Sequence, residues 1–179
     1  KALRSLETGR AGFGADAKDG PFEALNDEQI TEGLVRPNAN RVFILRAALR
    51  RGSGIDRLYE LTGIDPWFLS QLEELAFFED EIKSAGSLEN LKNDTPLLLQ
   101  AKEMGYADRQ IAHLLGVTED AVREARQKAN VMPVYGLVDT CAAEFKAYTP
   151  YFYSTYGDLD EAMPSDRRKV MILGSGPNR

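Results

Sequence analysis

Residues 52–69 read GSGIDRLYELTGIDPWFL, and the chain repeats their pattern at residues 105–122, which read GYADRQIAHLLGVTEDAV. A shift of 53 positions brings Gly63 onto Gly116 and matches the other turns and aliphatic positions. The further pairs are Gly52 with Gly105, Leu58 with Ile111, Leu61 with Leu114, Ile64 with Val117, and Leu69 with Val122. Glycines end helices and aliphatic residues at helical spacing fill a core, so a duplicated packing unit must keep these positions. The pattern predicts two similar helical units, at about residues 40–83 and 93–130.

Helix start signals frame the helices around this repeat. Asn26 can cap a helix over residues 27–34, and Asp65 followed by Pro66 is a carboxylate cap with proline at the first helical position. The helix from Pro66 is predicted to run to about Ile82, and further helices are predicted at 40–51, 53–61, 108–115 and 118–129, with two more beginning at Ser87 and Thr95. The expected apolar face of the helix from Pro66 holds Phe68, Leu72, Leu75, Phe78 and Ile82. The predicted structural core is Trp67, Phe68, Leu72, Leu75, Leu114, Val117 and Val122.

The two ends of the chain differ from its helical middle. Residues 1–7 have the apolar spacing of a helix, and the glycine-rich residues 8–20 predict an exposed linker. After Pro133, aromatic and β-branched stretches at 134–138 and 151–156 favour strands or extended chain within a connecting segment, 133–168. Residues 169–173 resemble a short strand that leads into a glycine loop. A single strand leaves backbone groups unpaired, so we expect residues 169–179 to belong to the next domain of a longer protein.

Composition is that of an ordinary folded protein. Of the 179 residues, 43% are hydrophobic and 28% are charged, and the mean hydropathy is −0.36. Apolar runs are too short to cross a membrane, no secretory leader opens the sequence, and the one cysteine, Cys141, cannot form an internal disulfide. These features favour the cytoplasm. The predicted fold is all-α: two similar helical subdomains within residues 21–132, followed by a short extended tail.

Charge and residue counts argue against several kinds of function. The net charge of −6 and the pI near 5.0 oppose a general polyanion partner, because nucleic-acid binding depends on neutralising phosphates. One histidine and one cysteine cannot supply the clusters that bind zinc. His113 has no nucleophile motif around it, and the repeat pairs it with Glu60, so it is predicted to face solvent. No catalytic residue and no cofactor or metal site is predicted.

One local pattern suggests a different function. Residues 111–118, with Val122 and Arg126 beyond them, resemble a DNA-binding helix-turn-helix, in which the second helix enters the major groove. That helix would open here with Glu119 and Asp120, and carboxylates at its leading end repel phosphate. The same residues favour the helix dipole, so a well-capped, solvated helix explains them. A DNA-binding regulator is kept as the alternative hypothesis.

Two charged clusters and one glycine loop have both functional and ordinary interpretations. Arg46, Arg50, Arg51 and Arg57 form a basic cluster, which is either a docking patch for an acidic partner or a solvated helix rim. The acidic residues between 73 and 81 are scattered around one helix, which indicates a solvated face rather than a metal site. The loop from Gly174 could hold a phosphate, but a single glycine pair is weak evidence.

Three stretches of the chain together resemble the large subunit of carbamoyl-phosphate synthase. They are KALRSLE at 1–7, VDTCAAEF at 138–145 with YFYSTY at 151–156, and GSGPNR at 174–179. In that family an all-helical oligomerisation or connection domain joins two ATP-grasp synthetase halves. The resemblance places residues 1–20 at the end of the first half and a linker, residues 21–132 in the connection domain, and residues 169–179 in the first strand and loop of the second half.

The resemblance also implies a function for the parent enzyme. That enzyme makes carbamoyl phosphate from bicarbonate, glutamine-derived ammonia and ATP, for arginine and pyrimidine synthesis, and uses ATP with Mg²⁺ or Mn²⁺. The implied partners are the flanking ATP-grasp domains, further copies of the chain and a glutaminase small subunit, without nucleic acid or membrane. The segment itself is expected to be a non-catalytic connector without its own cofactor. Arg179, at the end of the Gly-x-Gly-Pro-Asn-Arg loop, is the one residue that the resemblance places near the path of carbamate.

Overall fold

Helices occupy most of residues 20–128 in the computed structural model, which describes residues 3, 6, 8–146 and 151–172. Contacts divide the chain into two units, Lys1–Met132 and Pro133–Arg179. The first unit contains α1 Gly20–Glu23, α2 Asp27–Val35, α3 Arg41–Arg50, α4 Ile55–Thr62, α5 Pro66–Ser84, α6 Leu88–Asn93, α7 Thr95–Glu103, α8 Asp108–Leu115 and α9 Glu119–Lys128. The second contains strands β1 Val134–Leu137 and β2 Phe152–Thr155. The predicted mainly helical class is confirmed.

Asn26, Asp65, Ser87 and Thr118 cap helices as predicted, whereas Asp94 rather than Thr95 caps α7, and α4 begins after Gly54 rather than at Ser53. The Asn26 side chain accepts a hydrogen bond from Gln29 N at 2.9 Å, and the Gln29 side chain accepts one from Asn26 N at 2.9 Å. Asp65 accepts from Trp67 N at 2.8 Å, and Thr118 accepts from Ala121 N at 3.2 Å. These bonds satisfy backbone N–H groups that the first turn of a helix leaves without partners.

The repeat is visible in both backbone conformation and burial. Gly63 and Gly116 end α4 and α8 in the left-handed region, with φ of 66° and 67°. Gly52 and Gly105 also have positive φ, 83° and 92°. The matched pairs Leu58 with Ile111 and Leu69 with Val122 are all completely buried. The two units therefore share their turns and the centres of their cores.

Helix α5 is the central packing element of the first unit of the chain. It contacts α3 and α4 of the first repeat and α7 and α8 of the second. One buried cluster joins its residues Leu69 and Ala76 to Leu45 and Leu49 of α3 and to Leu58 of α4. Leu72 and Leu75 are partly buried against this cluster. In the second repeat Val122 is fully buried, while Leu114 and Val117 are partly buried.

The core assignment of Trp67 and Phe68 is wrong. Trp67 is 62% exposed and Phe68 is 58% exposed, whereas the next residue, Leu69, is fully buried. Consecutive helical residues point about 100° apart, so the burial of Leu69 turns Phe68 away from the centre of the packed face. Four of the five predicted face residues are confirmed, since Phe78 and Ile82 are buried and Leu72 and Leu75 are partly buried. The buried stripe on α5 begins at Leu69 instead of Phe68 and also includes Ala76 and Glu79.

Residues 8–20 are not the exposed linker that their glycines predicted. Arg10, Ala11, Phe13 and Ala15 are buried, and Phe13 belongs to the core cluster of the first repeat. The segment lacks apolar periodicity because it packs as irregular chain, in which helical or strand spacing has no meaning. The helix predicted over residues 1–7 lies largely outside the described residues.

The second unit is built on a small antiparallel sheet. Val134 pairs with Thr155 and Gly136 with Tyr153, and a Cβ at position 136 would run into the Tyr153 ring. Glu161 extends the edge, since its side chain accepts from Leu137 N at 2.6 Å and its own N–H donates to Tyr135 O at 2.9 Å. The aromatic stretches predicted as strand or extended chain do form these strands.

The strand predicted over residues 169–173 is not formed in its described part. Residues 169–172 have no strand assignment, and Val170, Met171 and Ile172 are almost fully exposed. A strand requires a neighbouring edge for its hydrogen bonds, and no described residue of the chain provides one. Leu173 and the loop up to Arg179 lie outside the described residues. Over the part of the chain that the structure describes, no helix has the length and apolar character needed to span a membrane.

Candidate functional site

Residues 10–19, which we call the strap, are held by a buried arginine. Arg10 donates to Asp16 at 3.1 Å and to Asp19, and its guanidinium lies over the Phe43 ring, 4.4 Å from the ring centre. Ala11 N also donates to Asp16, at 2.7 Å. Burial alone would raise the pKa of Asp16, but the hydrogen bonds from Arg10 and Ala11 outweigh it and lower that pKa below its usual value.

A second buried arginine joins the strap to two helices. Arg46 of α3 is 5% exposed and donates to Glu79 of α5, which is 3% exposed, at 3.1 and 2.6 Å. The remaining guanidinium nitrogen lies 3.3 Å from Asp19. Burial would lower the pKa of Arg46, but its hydrogen bonds and charge attraction to Glu79 raise it. The interpretation of Arg46 as a solvated rim or docking residue, and of Glu79 as part of a solvated face, is therefore wrong.

The other members of the predicted basic cluster are also engaged within the chain. Arg50 donates to both carboxylate oxygens of Asp80, at 2.7 and 2.9 Å, and this bond lowers the pKa of Asp80. Arg51 donates to the backbone oxygens of Glu23 and Leu25, at 2.7 and 2.5 Å. Arg57 is exposed, and its ion pair is with Glu60 of its own helix, at 3.2 Å. Arg46, Arg50 and Arg51 therefore have partners in other parts of the chain, whereas Arg57 lies on a solvated helix surface.

The second repeat has its own buried ionic cluster around Asp108, at the start of α8. Lys102 contacts one oxygen of this carboxylate at 2.6 Å, and Arg126 donates to the other at 2.8 Å. Burial would raise the pKa of Asp108, but the bonds from Lys102 and Arg126 lower it. The cluster ties α7, α8 and α9 together.

These contacts give no support to the helix-turn-helix alternative. Arg126 points inward to Asp108, and Arg123 donates to Asp120 at 2.7 Å and to Glu119 at 3.1 Å. Helix α9 carries three acidic and three basic side chains, so it has no net positive charge for phosphate binding.

An exposed aromatic pair marks the first turn of α5. The Trp67 and Phe68 rings meet edge to face, with centres 5.0 Å apart. The repeat pairs them with Asp120 and Ala121 at the start of α9. The same position in the two units is therefore apolar in one and acidic in the other. A packing role does not require the aromatic rings, because the second unit does without them.

An open cleft of about 350 Å³ lies beside Arg46. Asp19, Glu23 and Glu79 line it together with Lys83 and the exposed His113. All three carboxylates lie within ion-pair distance of Arg46. Among the described residues, no three histidine, cysteine, aspartate or glutamate side chains are placed to bind a metal ion. Arg179 lies outside the described residues.

Sequence reasoning missed the strap and the Arg46–Glu79 pair. One signal was available: the repeat pairs Arg46 with the apolar residue Leu99. A charged residue at a position that is apolar in the sister unit is a candidate for a buried, paired charge.

Fold and geometry define the first unit as a helical packing domain built from a repeat. Residues 1–130 match the family model described as the carbamoyl-phosphate synthetase large chain, oligomerisation domain. Proteins named carbamoyl phosphate synthase large chain are similar over the whole chain, with 50% identity in Archaeoglobus fulgidus, 49% in Nostoc sp. and 44% in Thermotoga neapolitana. The chain covers 16%, 16% and 15% of the length of these relatives. The chain belongs to the family of this oligomerisation domain.

Proposed function

We propose that this chain is a non-catalytic connector and self-association segment within a carbamoyl-phosphate synthase large chain. The match of residues 1–130 to the oligomerisation domain supports this, as does the similarity to named large chains along all 179 residues. The described residues hold buried ion pairs that join helices to one another, which suits a structural role. Each such pair has its partners within the chain and so is not poised for chemistry.

The proposal extends to the parent enzyme and its surroundings. The parent would make carbamoyl phosphate from bicarbonate, glutamine-derived ammonia and ATP, with Mg²⁺ or Mn²⁺, in the cytoplasm, for arginine and pyrimidine synthesis. Flanking ATP-grasp domains and a glutaminase small subunit would be its partners. The names of the relatives support the synthase activity, and the single cysteine is compatible with a reducing compartment.

The exposed aromatic pair carries the self-association proposal. Trp67 and Phe68 place large apolar rings in solvent, and aromatic residues are enriched at the centres of protein interfaces. The occupant that we propose for this surface is a second copy of the chain, because the family is described by its role in oligomerisation.

Sedimentation velocity of the purified chain over a range of concentrations tests this proposal. We expect the wild-type chain to associate reversibly and the double variant Trp67→Asp with Phe68→Ala, which introduces the residue types of the second repeat, to remain monomeric. Phe145→Asp is the matched control, since it replaces an exposed aromatic residue beyond the family match and should leave association unchanged.

Each outcome addresses a different part of the proposal. A wild-type chain that stays monomeric at all concentrations would contradict self-association. Association that persists in the double variant would exclude the aromatic pair as the contact surface. Turnover of ATP by the purified chain would contradict the non-catalytic role.

A further inference from the structure

The strap contacts both of the helical repeats that lie within Lys1–Met132. On the side of the first repeat, Asp19 contacts Arg46 of α3 and Phe13 enters the core cluster. On the side of the second repeat, Gln110 of α8 donates from Nε2 to Gly14 O at 2.7 Å, and this bond is buried. Residues 10–19 therefore bridge helices that belong to different repeats.

Close approach makes this bridge dependent on glycine. A Cβ at Gly14 would run into the Arg46 guanidinium, and a Cβ at Gly12 would lie 2.9 Å from Gln110 Nε2. Ala15 and Ala17 have positive φ, 57° and 64°, which non-glycine residues adopt only where surrounding contacts hold them. The backbone of the strap is thus fixed by both repeats.

The residues that hold the strap are the ones that the repeat does not share. Arg46 pairs with Leu99 and Gln110 with Arg57, whereas the turn glycines and core aliphatics match. A helical unit of this kind folds without these side chains, since each unit lacks the other's. Their presence follows from the strap rather than from the packing of either unit.

Direct contacts also join the two repeats beside the strap. Helix α5 contacts α7 and α8, the Tyr106 hydroxyl donates to Leu75 O, and the Phe78 and Tyr106 rings lie 5.8 Å apart. A small open cavity of about 30 Å³ lies where α5, the strap and Gln110 meet. The junction is therefore not closed by α5 alone.

We propose that residues 10–19 are a latch that, together with the contacts of α5, holds the two helical repeats in one fixed arrangement, and that its release loosens this arrangement. Arg46 and Gln110 are positioning residues in this device: one fixes the latch to the first repeat and the other to the second. The inference is independent of self-association, because it concerns contacts inside one copy.

The first variant, Gln110→Glu, opens the latch from the second repeat. Glutamate keeps an oxygen that can accept from Ala107 N, as Gln110 does at 3.0 Å, but has no N–H to donate to Gly14 O. The second variant, Gly14→Ala, opens it from the first repeat by displacing Arg46. Gln100→Glu, at an exposed position on α7, and Gly20→Ala, at an open position on α1, are the matched controls.

Two measurements on the full 179-residue chain detect whether the latch is open. Hydrogen exchange should become at least tenfold faster at Ala11 and Ala15, whose amides donate to Asp16 and Asp19, while α4 and α9 keep their protection. Spin labels on cysteines at the exposed positions Asp56 and Gln127, with Cys141→Ser, should give one narrow distance distribution in the otherwise unchanged chain and a broad one in both variants. Both controls should match the unaltered chain.

The proposal is overturned if both variants keep the narrow distribution and the slow exchange. If a variant unfolds as a whole, hydrogen exchange in the unaltered protein still tests the proposal. There, Ala11 and Ala15 must exchange as slowly as the amides of α8, and free exchange of the strap beneath two protected repeats would overturn the latch.

Discussion

Residues 40–83 and 93–130 form two helical units that agree at their turns and at their deepest aliphatic positions but differ in their charges and aromatic residues. Gly63 matches Gly116 in conformation, and Leu69 matches Val122 in burial. Arg46, by contrast, is a buried charge that pairs with Leu99 in the alignment of the repeat, and its buried partner Glu79 lies beyond the part of α5 that the second unit matches. The shared positions form the helical unit itself, and the differing positions Arg46 and Gln110 attach the units to the strap.

The largest expected effect comes from breaking the buried pair that only the first repeat has. Glu79→Ala leaves the Arg46 charge buried without its main partner, and we expect a loss of about 3–5 kcal/mol in the free energy of unfolding. The double variant Arg46→Leu with Glu79→Met replaces both charges with apolar residues and should lose less, because the pair is removed as a whole. Urea unfolding measures both, and a cost below about 1 kcal/mol for Glu79→Ala would contradict the buried-pair description.

Truncation at the matched core positions tests whether the two units are equivalent. Leu69→Ala should cost about 3 kcal/mol, and Val122→Ala should cost less because it removes two carbon atoms rather than three. Trp67→Ala, at an exposed neighbour, should cost about 1 kcal/mol or less. Thermal unfolding followed by circular dichroism gives this order. A larger loss for Trp67→Ala than for Leu69→Ala would restore the rejected core assignment.

Acid should act through Asp108 of the second repeat, whose matched residue in the first is the uncharged Ile55. The pKa of Asp108 is lowered in the folded chain, so its contribution to stability is present above the ordinary aspartate pKa and is lost as the pH falls through the lowered value. Asp108→Asn should cost about 2 kcal/mol at pH 7 and progressively less below about pH 4. Urea midpoints of both proteins between pH 7 and pH 3 test this, and a constant gap between them would contradict it.

The smallest effects are expected at the matched turn glycines. Gly63→Ala and Gly116→Ala each place a side chain at positive φ, which costs about 1 kcal/mol. A Cβ would meet no other atom at either position, so the two costs should be equal. Gly20→Ala, without positive φ, should cost nothing. Unequal losses at Gly63 and Gly116 in parallel urea titrations would show that the turns are not equivalent.

Much of the fold was predictable because its signals are local. The caps at Asn26, Asp65 and Thr118 act through hydrogen bonds within three residues, and the glycine stops act through their own dihedral angles. Capping bonds and glycine turns depend only on these few neighbouring residues, so a local sequence pattern is enough to predict them. The repeat allowed each position to be compared with its counterpart. The pairing of Trp67 with the acidic Asp120 indicated that this position does not require a core residue.

The contacts around the strap were not predictable in the same way. Arg46 and Glu79 are 33 positions apart, and Gln110 and Gly14 are 96 positions apart. Whether a charged side chain is buried depends on whether a partner of opposite charge reaches it, and no local pattern records that. For this reason Glu79 was assigned to a solvated face, and Phe68 rather than Leu69 was expected to begin the apolar stripe of α5.

The sequence by itself determined where the helices of this protein begin and end and that its helical unit occurs twice, because backbone dihedral angles and capping bonds are set by neighbouring residues. Tertiary structure alone decided that the buried stripe of α5 begins at Leu69, which charges are paired inside, and that a glycine-rich segment lies in the core. Those outcomes depend on the desolvation of groups that meet only when distant parts of the chain pack together.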